Sequence, residues 1–362
     1  MALSCGILGL PNAGKSTLFR ALTSIPVLVE SYPFSTIDPN KGMIPIVDKR
    51  LENIADLTMP EKITPAYLEV IDVAGLVKGA HRGEGLGNQF LSYLREVHAL
   101  IHVIGDFDES EGVAEDSDEM LTDKAETVNQ ELILADIYTL ENRKNKIEKK
   151  AQSGEKESQQ ELLIIDSLIE YLNRGNLLRT RESKKEELEI AGELNLITNK
   201  QMVFVLNRHE NKLNEEIPGK IKDYAEARHS PVISICAKLE YELQELDEEE
   251  REMFKKEYGL EQTALPYIID VSRRMLELIT FFTIKGTETK AWLVRKNTTA
   301  FEAAGKIHTD MQKGFIAVEV ITYEELMEAQ SLKNAREKGL VNVEGKNYVI
   351  KDGDILSFRF SH

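Results

Sequence analysis

Near the start of the chain stands the octapeptide Gly9-Leu10-Pro11-Asn12-Ala13-Gly14-Lys15-Ser16, which matches the pattern G-x-x-x-x-G-K-[ST]. An apolar run, residues 3–8, precedes it, and a helix-like run, residues 17–22, follows it. The backbone N–H groups of such a loop wrap around phosphate oxygens at a helix N-terminus, where the helix dipole favours negative charge. The sequence therefore predicts an α/β fold of the P-loop type, in which a strand, a phosphate-binding loop and a helix follow one another.

The residue types inside this loop assign it separate roles. Lys15 is expected to reach the β- and γ-phosphates of a nucleotide, and the Ser16 hydroxyl is expected to bind Mg²⁺. Asn12 has two interpretations: its carbonyl oxygen binds a monovalent cation such as K⁺ beside the phosphates, or it only stabilises the turn. The remaining phosphate contacts are expected from Ala13, Gly14 and Thr17.

A second motif supplies a candidate metal ligand. The segment Asp72-Val73-Ala74-Gly75 follows an apolar strand, residues 66–71, so the Asp72 carboxylate is placed at the carboxyl end of a strand, where α/β proteins bind ligands. There Asp72 can hold Mg²⁺ directly or through water, and the Gly75 N–H can meet a γ-phosphate oxygen. Thr36, in the loop between the two motifs, is the expected second hydroxyl ligand of Mg²⁺.

The base-recognition motif differs from that of an ordinary GTPase. After an apolar strand stands Asn207-Arg208-His209-Glu210, where guanine-binding proteins have Asn-Lys-x-Asp. Glu210 is one methylene longer than aspartate, which moves its carboxylate by about 1.5 Å and weakens a bidentate fit to guanine. The stem of Arg208 could still cover a base face, as lysine does in guanine-binding proteins, so a strict GTPase remains an alternative. Ser234 and Ala237, in a Ser-x-x-Ala-Lys stretch, complete the predicted base site.

Five segments of the sequence share one family pattern. They are Gly9-Leu10-Pro11-Asn12, Tyr32-Pro33-Phe34-Ser35-Thr36-Ile37, Asp72-Val73-Ala74-Gly75-Leu76-Val77, Gly83-Glu84-Gly85-Leu86-Gly87-Asn88 and Ala303-Ala304-Gly305-Lys306-Ile307-His308-Thr309-Asp310. With these segments the chain resembles the YchF family, also called Obg-like ATPases, along nearly its whole length. The resemblance implies ATP hydrolysis, with GTP often accepted, by a P-loop domain that carries a helical insertion and a C-terminal TGS domain. It also implies a cytoplasmic location and association with ribosomes.

Leu76 bears on the expected mechanism. Many related switch GTPases have glutamine directly after the Asp-x-x-Gly glycine, where it orients the attacking water, and a leucine side chain cannot hydrogen-bond water. We therefore expect slow turnover, with Gly75 and Leu76 beside the reacting phosphate. The resemblance places the family's water-positioning histidine at Ala114 of this sequence. His81 and His98 are candidate substitutes, although a surface or packing role is the more common one for such histidines.

Hydrophobic periodicity divides the chain into three parts. Residues 1–112 and 201–278 are predicted to form the P-loop nucleotide-binding domain. Residues 113–200 are predicted to form an inserted helical hairpin, which is either an arm that docks a partner or a self-packed structural element. Residues 279–362 alternate short β-rich runs with a helix near residues 300–307. This pattern is typical of a small β-grasp module, similar to the TGS domain of the family.

Composition limits the partners of the chain. The formal net charge of −17 disfavours nucleic-acid binding by charge alone. From residue 279 onward, however, basic and acidic side chains nearly balance. The C-terminal module could therefore contact RNA through basic side chains, or it could instead dock a protein. The candidate RNA contacts are Lys290, Arg295, Lys296, Lys306 and Lys313. Cys5 and Cys236 lie in apolar runs and are expected to be buried, reduced thiols. Because no run of about 18 apolar residues indicates a membrane span, the cytoplasm is the expected location.

Two classes of function follow from these patterns. One is an ATP hydrolase whose turnover is its output, and the other is a nucleotide-gated binding module in which hydrolysis resets a ribosome-associated state. The loops around residues 31–39 and 79–87 favour the second class, because they carry Gly and Pro where order could depend on the γ-phosphate. The predicted function is a slow nucleotide-dependent switch that hydrolyses ATP in preference to GTP or alongside it. A strict GTPase and a gated module with negligible turnover are the alternatives.

Overall fold

The computed structural model describes residues 3–25, 41–73, 86–106, 118–258 and 263–361. These residues belong to two compact units. The first includes residues 3–24, 41–42 and the described residues from 70 to 272, and the second includes residues 25, 43–69 and 273–361. The unit boundary at residue 272 lies near the predicted domain boundary at residue 278. This division groups residues 43–69 with the second unit, and the predicted bounds of the nucleotide-binding domain stay a prediction.

The elements of the described residues follow one another in a regular α/β order through the first part of the chain. The strands are β1 (Ser4–Leu8), β2 (Lys41–Ile46), β3 (Lys62–Thr64), β4 (Ala66–Asp72), β5 (Ala99–Asp106), β6 (Met202–Arg208), β7 (Val232–Ile235), β8 (Leu278–Lys285), β9 (Glu288–Arg295), β10 (Phe315–Thr322), β11 (Asn342–Glu344) and β12 (Asp354–Phe360). The helices are α1 (Lys15–Thr23), α2 (Lys49–Thr58), α3 (Leu86–Glu96), α4 (Asp118–Gln152), α5 (Lys156–Asn173), α6 (Lys185–Glu193), α7 (Gly219–Glu226), α8 (Ala237–Glu245), α9 (Glu248–Glu257), α10 (Leu265–Met275), α11 (Ala300–Ile307), α12 (Thr309–Lys313), α13 (Tyr323–Ala329) and α14 (Leu332–Glu337).

The nucleotide-binding sheet has the strand order β2-β4-β1-β5-β6-β7. The pairs β1–β5, β5–β6 and β6–β7 are all parallel. Every residue of β5 and β6 is buried, which agrees with their nearly continuous apolar runs, because helices cover both faces of such a sheet. The carboxyl ends of β1, β5, β6 and β7 therefore meet at one edge, and the loops that follow them are brought together there.

The predicted helical insertion is a long helix, α4, paired with α5. Near the sheet, Leu121, Val128 and Leu132 of α4 join the core of the nucleotide-binding unit. Further along, α4 and α5 share a separate apolar core, whose fully buried members include Leu140 and Leu168. The predicted helical hairpin is confirmed. Its apolar stripe is used to pack the two helices on each other, as the self-packed interpretation requires, while partner docking remains a prediction.

The second unit contains a mixed sheet with the order β11-β10-β12-β8-β9-β3. Strands β8 and β9 form an antiparallel hairpin, and the last strand, β12, runs parallel to β8 and antiparallel to β10. Helix α11 covers one face and contributes Ala300, Ala303 and Ala304 to the core. This is the β-grasp arrangement that the sequence predicts. The edge strand β3 pairs in parallel with β9, so residues 62–64 belong to the sheet of this unit.

Two further sequence predictions can be compared with the structure. Cys5 and Cys236 are buried free thiols, as predicted, and burial raises the pKa of Cys5 to about 12. Tyr348-Val349-Ile350, one of the short β-rich runs that the sequence shows after residue 279, forms only a single bridge between Val349 and Thr299. None of the described helices combines the length and the apolar character that a membrane-spanning segment needs.

Candidate nucleotide-binding site

The phosphate-binding loop leaves the sheet at Gly9, directly after β1. A Cβ atom at this position would lie 2.3 Å from the carbonyl oxygen of Val103 on β5, so the close approach of the two backbones requires glycine. Gly14 adopts the left-handed conformation, with φ of 87°, at the N-cap of α1, and its position carries no side-chain cap. The first N–H groups of α1 consequently stay available to an anion, as the predicted phosphate site requires.

Lys15 is the cation of this loop. Its Nζ donates a hydrogen bond of 2.7 Å to the carbonyl oxygen of Leu10, and the side chain is only 7% exposed. Burial lowers the pKa of Lys15, while the negative charge of Asp72 acts in the opposite direction. A buried ammonium held by one carbonyl has donors left for a second acceptor, and the oxygens of a nucleotide phosphate would fit that need.

Ser16 and Asp72 meet at the start of α1 and the end of β4. The Ser16 hydroxyl donates a hydrogen bond of 2.8 Å to Oδ2 of Asp72. Oδ1 of Asp72 is buried and has no hydrogen-bond partner among the described residues. Burial raises the pKa of Asp72, and the contacts with Ser16 and Lys15 lower it. Mg²⁺ prefers oxygen ligands such as hydroxyls and carboxylates, and a buried carboxylate oxygen needs a partner. Ser16 and Asp72 therefore fit the predicted Mg²⁺.

Asn207 connects the phosphate loop to the predicted base site. Its Nδ2 donates to the carbonyl oxygen of Ala13 at 3.0 Å, and its Oδ1 accepts from the N–H of Ala237 at 2.9 Å. The side chain is 5% exposed. Both hydrogen bonds satisfy a buried amide. The structure thus brings three of the predicted nucleotide-binding residues together through one side chain. Ser234, on β7, precedes Ala237 by three residues. Its hydroxyl is buried and has no hydrogen-bond partner in the described part of the chain.

Arg208 does not have the arrangement that the sequence suggests. Its side chain is 3% exposed, its Nε donates to Oδ2 of Asp106 at 2.9 Å, and its Nη1 donates to the carbonyl oxygen of Glu215 at 3.0 Å. Because the whole side chain is so well buried, its stem offers little surface to a base. The described contacts of the Arg208 guanidinium therefore lie within the protein, because the neighbouring strand end offers a carboxylate, and a contact of its stem with a base stays a prediction.

Other predicted site residues are placed less directly. Thr36, Gly75 and Leu76 lie outside the described residues, as do Ala114 and His81. Thr17 is half-buried in the first turn of α1, and Asn12 is exposed with φ of 62°. Nδ1 of His98 accepts a hydrogen bond from the N–H of Ser4. Ser4 begins β1, whereas the phosphate loop follows the other end of that strand, so His98 is a packing residue and not a substitute for the missing histidine.

Sequence reasoning did not find Asp106. It is the last residue of β5 and is 2% exposed, and the parallel register of the sheet places it directly beside Arg208. The signal in the sequence was that β5 ends in an acidic residue, Asp106, and β6 ends in a basic one, Arg208. Strand order, which the sequence alone does not reveal, is needed to make the two residues neighbours.

A parallel sheet, a phosphate loop before α1, a serine–aspartate pair and an asparagine at the base loop together define a P-loop nucleotide-binding protein of the GTPase type. Residues 4–136 match the family described as "50S ribosome-binding GTPase", and residues 278–361 match the family of YchF GTPase C-terminal domains, described as "Protein of unknown function (DUF933)". The chain is 40% identical to a protein of Bacillus subtilis named "Ribosome-binding ATPase YchF", over 100% of both chains.

The same relationship holds for other relatives. A protein of the same name from Escherichia coli O157:H7 is 38% identical over 100% of both chains. The solved structure of the Schizosaccharomyces pombe YchF GTPase is 33% identical, covers 99% of this chain and 97% of that chain, and gives a TM-score of 0.88. The chain belongs to the YchF family, and the predicted fold class is confirmed.

Proposed function

We propose that this chain hydrolyses the β–γ phosphoanhydride of ATP, accepts GTP alongside it, and acts as a slow nucleotide-dependent switch that associates with the ribosome. The observation that carries the proposal is the group of Lys15, Ser16 and Asp72 at the phosphate loop, in which one carboxylate oxygen has no hydrogen-bond partner among the described residues. Relatives of full length bear the name "Ribosome-binding ATPase YchF". A cytoplasmic location is part of the same proposal.

The residues of the phosphate loop divide the work between them. Lys15 binds the β- and γ-phosphates and compensates the charge that develops between them, and the N–H groups at the start of α1 bind phosphate oxygens. Ser16 and Asp72, with Thr36 as the second hydroxyl ligand, would hold Mg²⁺, which neutralises phosphate charge when it is bound. Gly75 and Leu76 are proposed to lie next to the reacting phosphate. Because leucine cannot orient water, we propose that intrinsic turnover is slow.

The base preference rests on the segment after β6. Asn207 fixes the base loop to the phosphate loop, and Glu210, which starts a 3₁₀ turn at residues 210–212, is the carboxylate that faces the base edge in this proposal. Its extra methylene weakens the bidentate fit to guanine. The Arg208 side chain is 3% exposed, so its stem offers little surface to a base, which counts against the GTPase alternative. Both features support a preference for ATP, or equal use of ATP and GTP.

An equilibrium titration of the nucleotide-free protein with ATP and GTP analogues, in Mg²⁺ and K⁺, tests this proposal. We expect ATP to bind as tightly as GTP or more tightly. A preference for GTP of about a hundredfold, or roughly 2.7 kcal/mol, would instead support a strict GTPase. This alternative is kept because the family that residues 4–136 match is described as a GTPase.

Ribosome association is tested separately. We expect the fraction of the protein that sediments with ribosomes to differ between the ATP-analogue and the ADP states, since a switch needs a differential affinity of its two states. The helical hairpin α4–α5 and the C-terminal sheet, whose lysines could contact RNA, are the proposed contact surfaces. Equal sedimentation in both states would contradict the switch and leave only the hydrolase.

Asn12 predicts a dependence on the monovalent cation. We expect faster hydrolysis in K⁺ than in Na⁺ at equal ionic strength, because the Asn12 carbonyl would hold a cation that offsets developing negative charge. The alternative is a turn role, since Asn12 has a positive φ, which asparagine tolerates. Asn12→Gly distinguishes the two interpretations. Glycine keeps the turn and removes the side-chain carbonyl, so the K⁺ advantage is lost in this variant if the cation interpretation holds, and retained if it does not.

A further inference from the structure

The carboxyl ends of β5 and β6 carry an ion pair that the phosphate chemistry does not use. The parallel register places Asp106 directly beside Arg208. Oδ2 of Asp106 accepts from Nε of Arg208 at 2.9 Å, and the two side chains are 2% and 3% exposed. A pair so completely removed from solvent gains little net stability from its charges, because desolvation of both ions offsets their attraction. What such a pair does provide is a fixed geometry.

Asp106 also holds a second point on the same segment. Its Oδ1 accepts from Nζ of Lys212 at 3.3 Å. One carboxylate thus fastens the chain at Arg208 and again at Lys212, and Glu210 lies midway between the two fastened residues. The Arg208 guanidinium adds contacts to the carbonyl oxygen of Glu215 at 3.0 Å and to its carboxylate at 3.3 Å. The short 3₁₀ turn that begins at Glu210 is therefore held on both sides.

A hydrogen bond between Glu210 and a base edge depends strongly on such restraint. Glutamate has one more rotatable bond than aspartate, so a free Glu210 would lose more side-chain entropy on binding. If the backbone is restrained on both sides of Glu210 before the nucleotide binds, less conformational entropy is lost when the carboxylate is placed against the base. No described contact ties the Glu210 side chain itself to Asp106, so any influence between the two residues passes through the segment.

We infer that Asp106 is a positioning residue for recognition of the base: by binding Arg208 and Lys212 it places the Glu210 carboxylate to accept a hydrogen bond from the exocyclic amino group of adenine. The inference rests on the proposed ATP-binding function and specifies how the base is selected. It assigns Arg208 the role of an anchor and removes it from direct contact with the base.

The test is a double-mutant cycle in the full-length protein. The nucleotide-free wild type, Asp106→Asn, Glu210→Ala and the double variant are titrated with ATP and with purine riboside triphosphate, which lacks the exocyclic amino group. We expect Asp106→Asn to weaken ATP binding about tenfold, which corresponds to about 1.4 kcal/mol, and to change the binding of purine riboside triphosphate less than twofold. In the Glu210→Ala background we expect Asp106→Asn to have no further effect, because coupled residues are not additive.

Equal weakening of both nucleotides, or additive effects of the two substitutions, would overturn the inference, since a general loss of structure acts on both ligands alike. A wild type that binds neither nucleotide would instead contradict the proposed function itself. Because Asp106→Asn leaves the Arg208 charge buried without its partner, the variant Asp106→Asn/Arg208→Met, which removes both charges, is measured as well. It should show the same selective loss of ATP binding.

Glu215→Gln is the matched control. Glu215 is the exposed partner of the Arg208 guanidinium, and its side chain is 60% exposed. The substitution leaves the buried pair of Asp106 and Arg208 intact. Exposed ion pairs contribute little, so its ATP affinity should stay within twofold of the wild type. A tenfold loss of ATP binding in Glu215→Gln would show that any disturbance of the segment acts as Asp106→Asn does, and would overturn the assignment to Asp106.

Discussion

Lys15→Met lowers kcat/KM for ATP by about 10²–10³-fold, the loss expected when one preorganised donor to the developing charge is removed. Methionine keeps an unbranched stem of similar length, so the packing of this buried side chain around the phosphate loop is largely retained. Burial disfavours the charged ammonium of Lys15, as its lowered pKa indicates, so removing that charge should leave the variant folded at least as stably as the wild type. Steady-state phosphate release and thermal unfolding are measured together.

Arg20→Met is the control for this prediction. Arg20 is an exposed cation in the last turn of the same helix, α1, so the control removes an equal charge from the same helix at a position outside the loop. We expect its kcat/KM to remain within about twofold of the wild type, because an exposed charge is screened by solvent and salt. Comparable losses in both variants would mean that α1 needs its overall charge and that Lys15 has no specific role at the phosphates.

The parts of this site that could be predicted from sequence are those fixed by local geometry. The phosphate loop requires glycines at set positions, and the structure places Gly14 in the left-handed conformation that the pattern implies. The Ser16–Asp72 contact was also accessible, because a P-loop serine and the aspartate at a strand end are brought together by any sheet in which their strands are neighbours. Similarly, helical periodicity was sufficient to locate α4 and α5.

The parts that could not be predicted depend on pairing between distant strands. Lys62 to Thr64 form only a short strand, and nothing local indicates that it pairs with β9 more than two hundred residues later. The same limit applies to Arg208. Its position suggested a base contact by analogy with lysine, whereas its guanidinium follows the nearest buried carboxylate, which the register of β5 and β6 supplies. A buried charge is placed by its partner and not by the motif in which it occurs.

Asp72→Asn should raise the Mg²⁺ concentration needed for half-maximal hydrolysis by between about ten- and a hundredfold, the range found when a residue that orients a metal's ligands is replaced. Asparagine has nearly the same shape but only one acceptor oxygen and no charge, so it cannot both accept from Ser16 and offer Mg²⁺ a carboxylate oxygen. Burial disfavours the charged form of Asp72, as its raised pKa indicates. The substitution should therefore leave the stability of the fold unchanged or increase it while it weakens the metal site.

Ser16 provides the matched pair of variants that separates metal binding from folding. Ser16→Thr keeps a hydroxyl at the same place, as the G-x-x-x-x-G-K-[ST] pattern permits, and should retain the Mg²⁺ dependence of the wild type. Ser16→Ala removes the hydroxyl that contacts Asp72 and should shift the Mg²⁺ dependence in the same direction as Asp72→Asn. Titrating Mg²⁺ at fixed, saturating ATP measures the shift, and thermal unfolding without nucleotide measures stability. If Ser16→Ala and Ser16→Thr respond alike, the hydroxyl is not a metal ligand, and Asp72 serves only to hold the start of α1 against the end of β4.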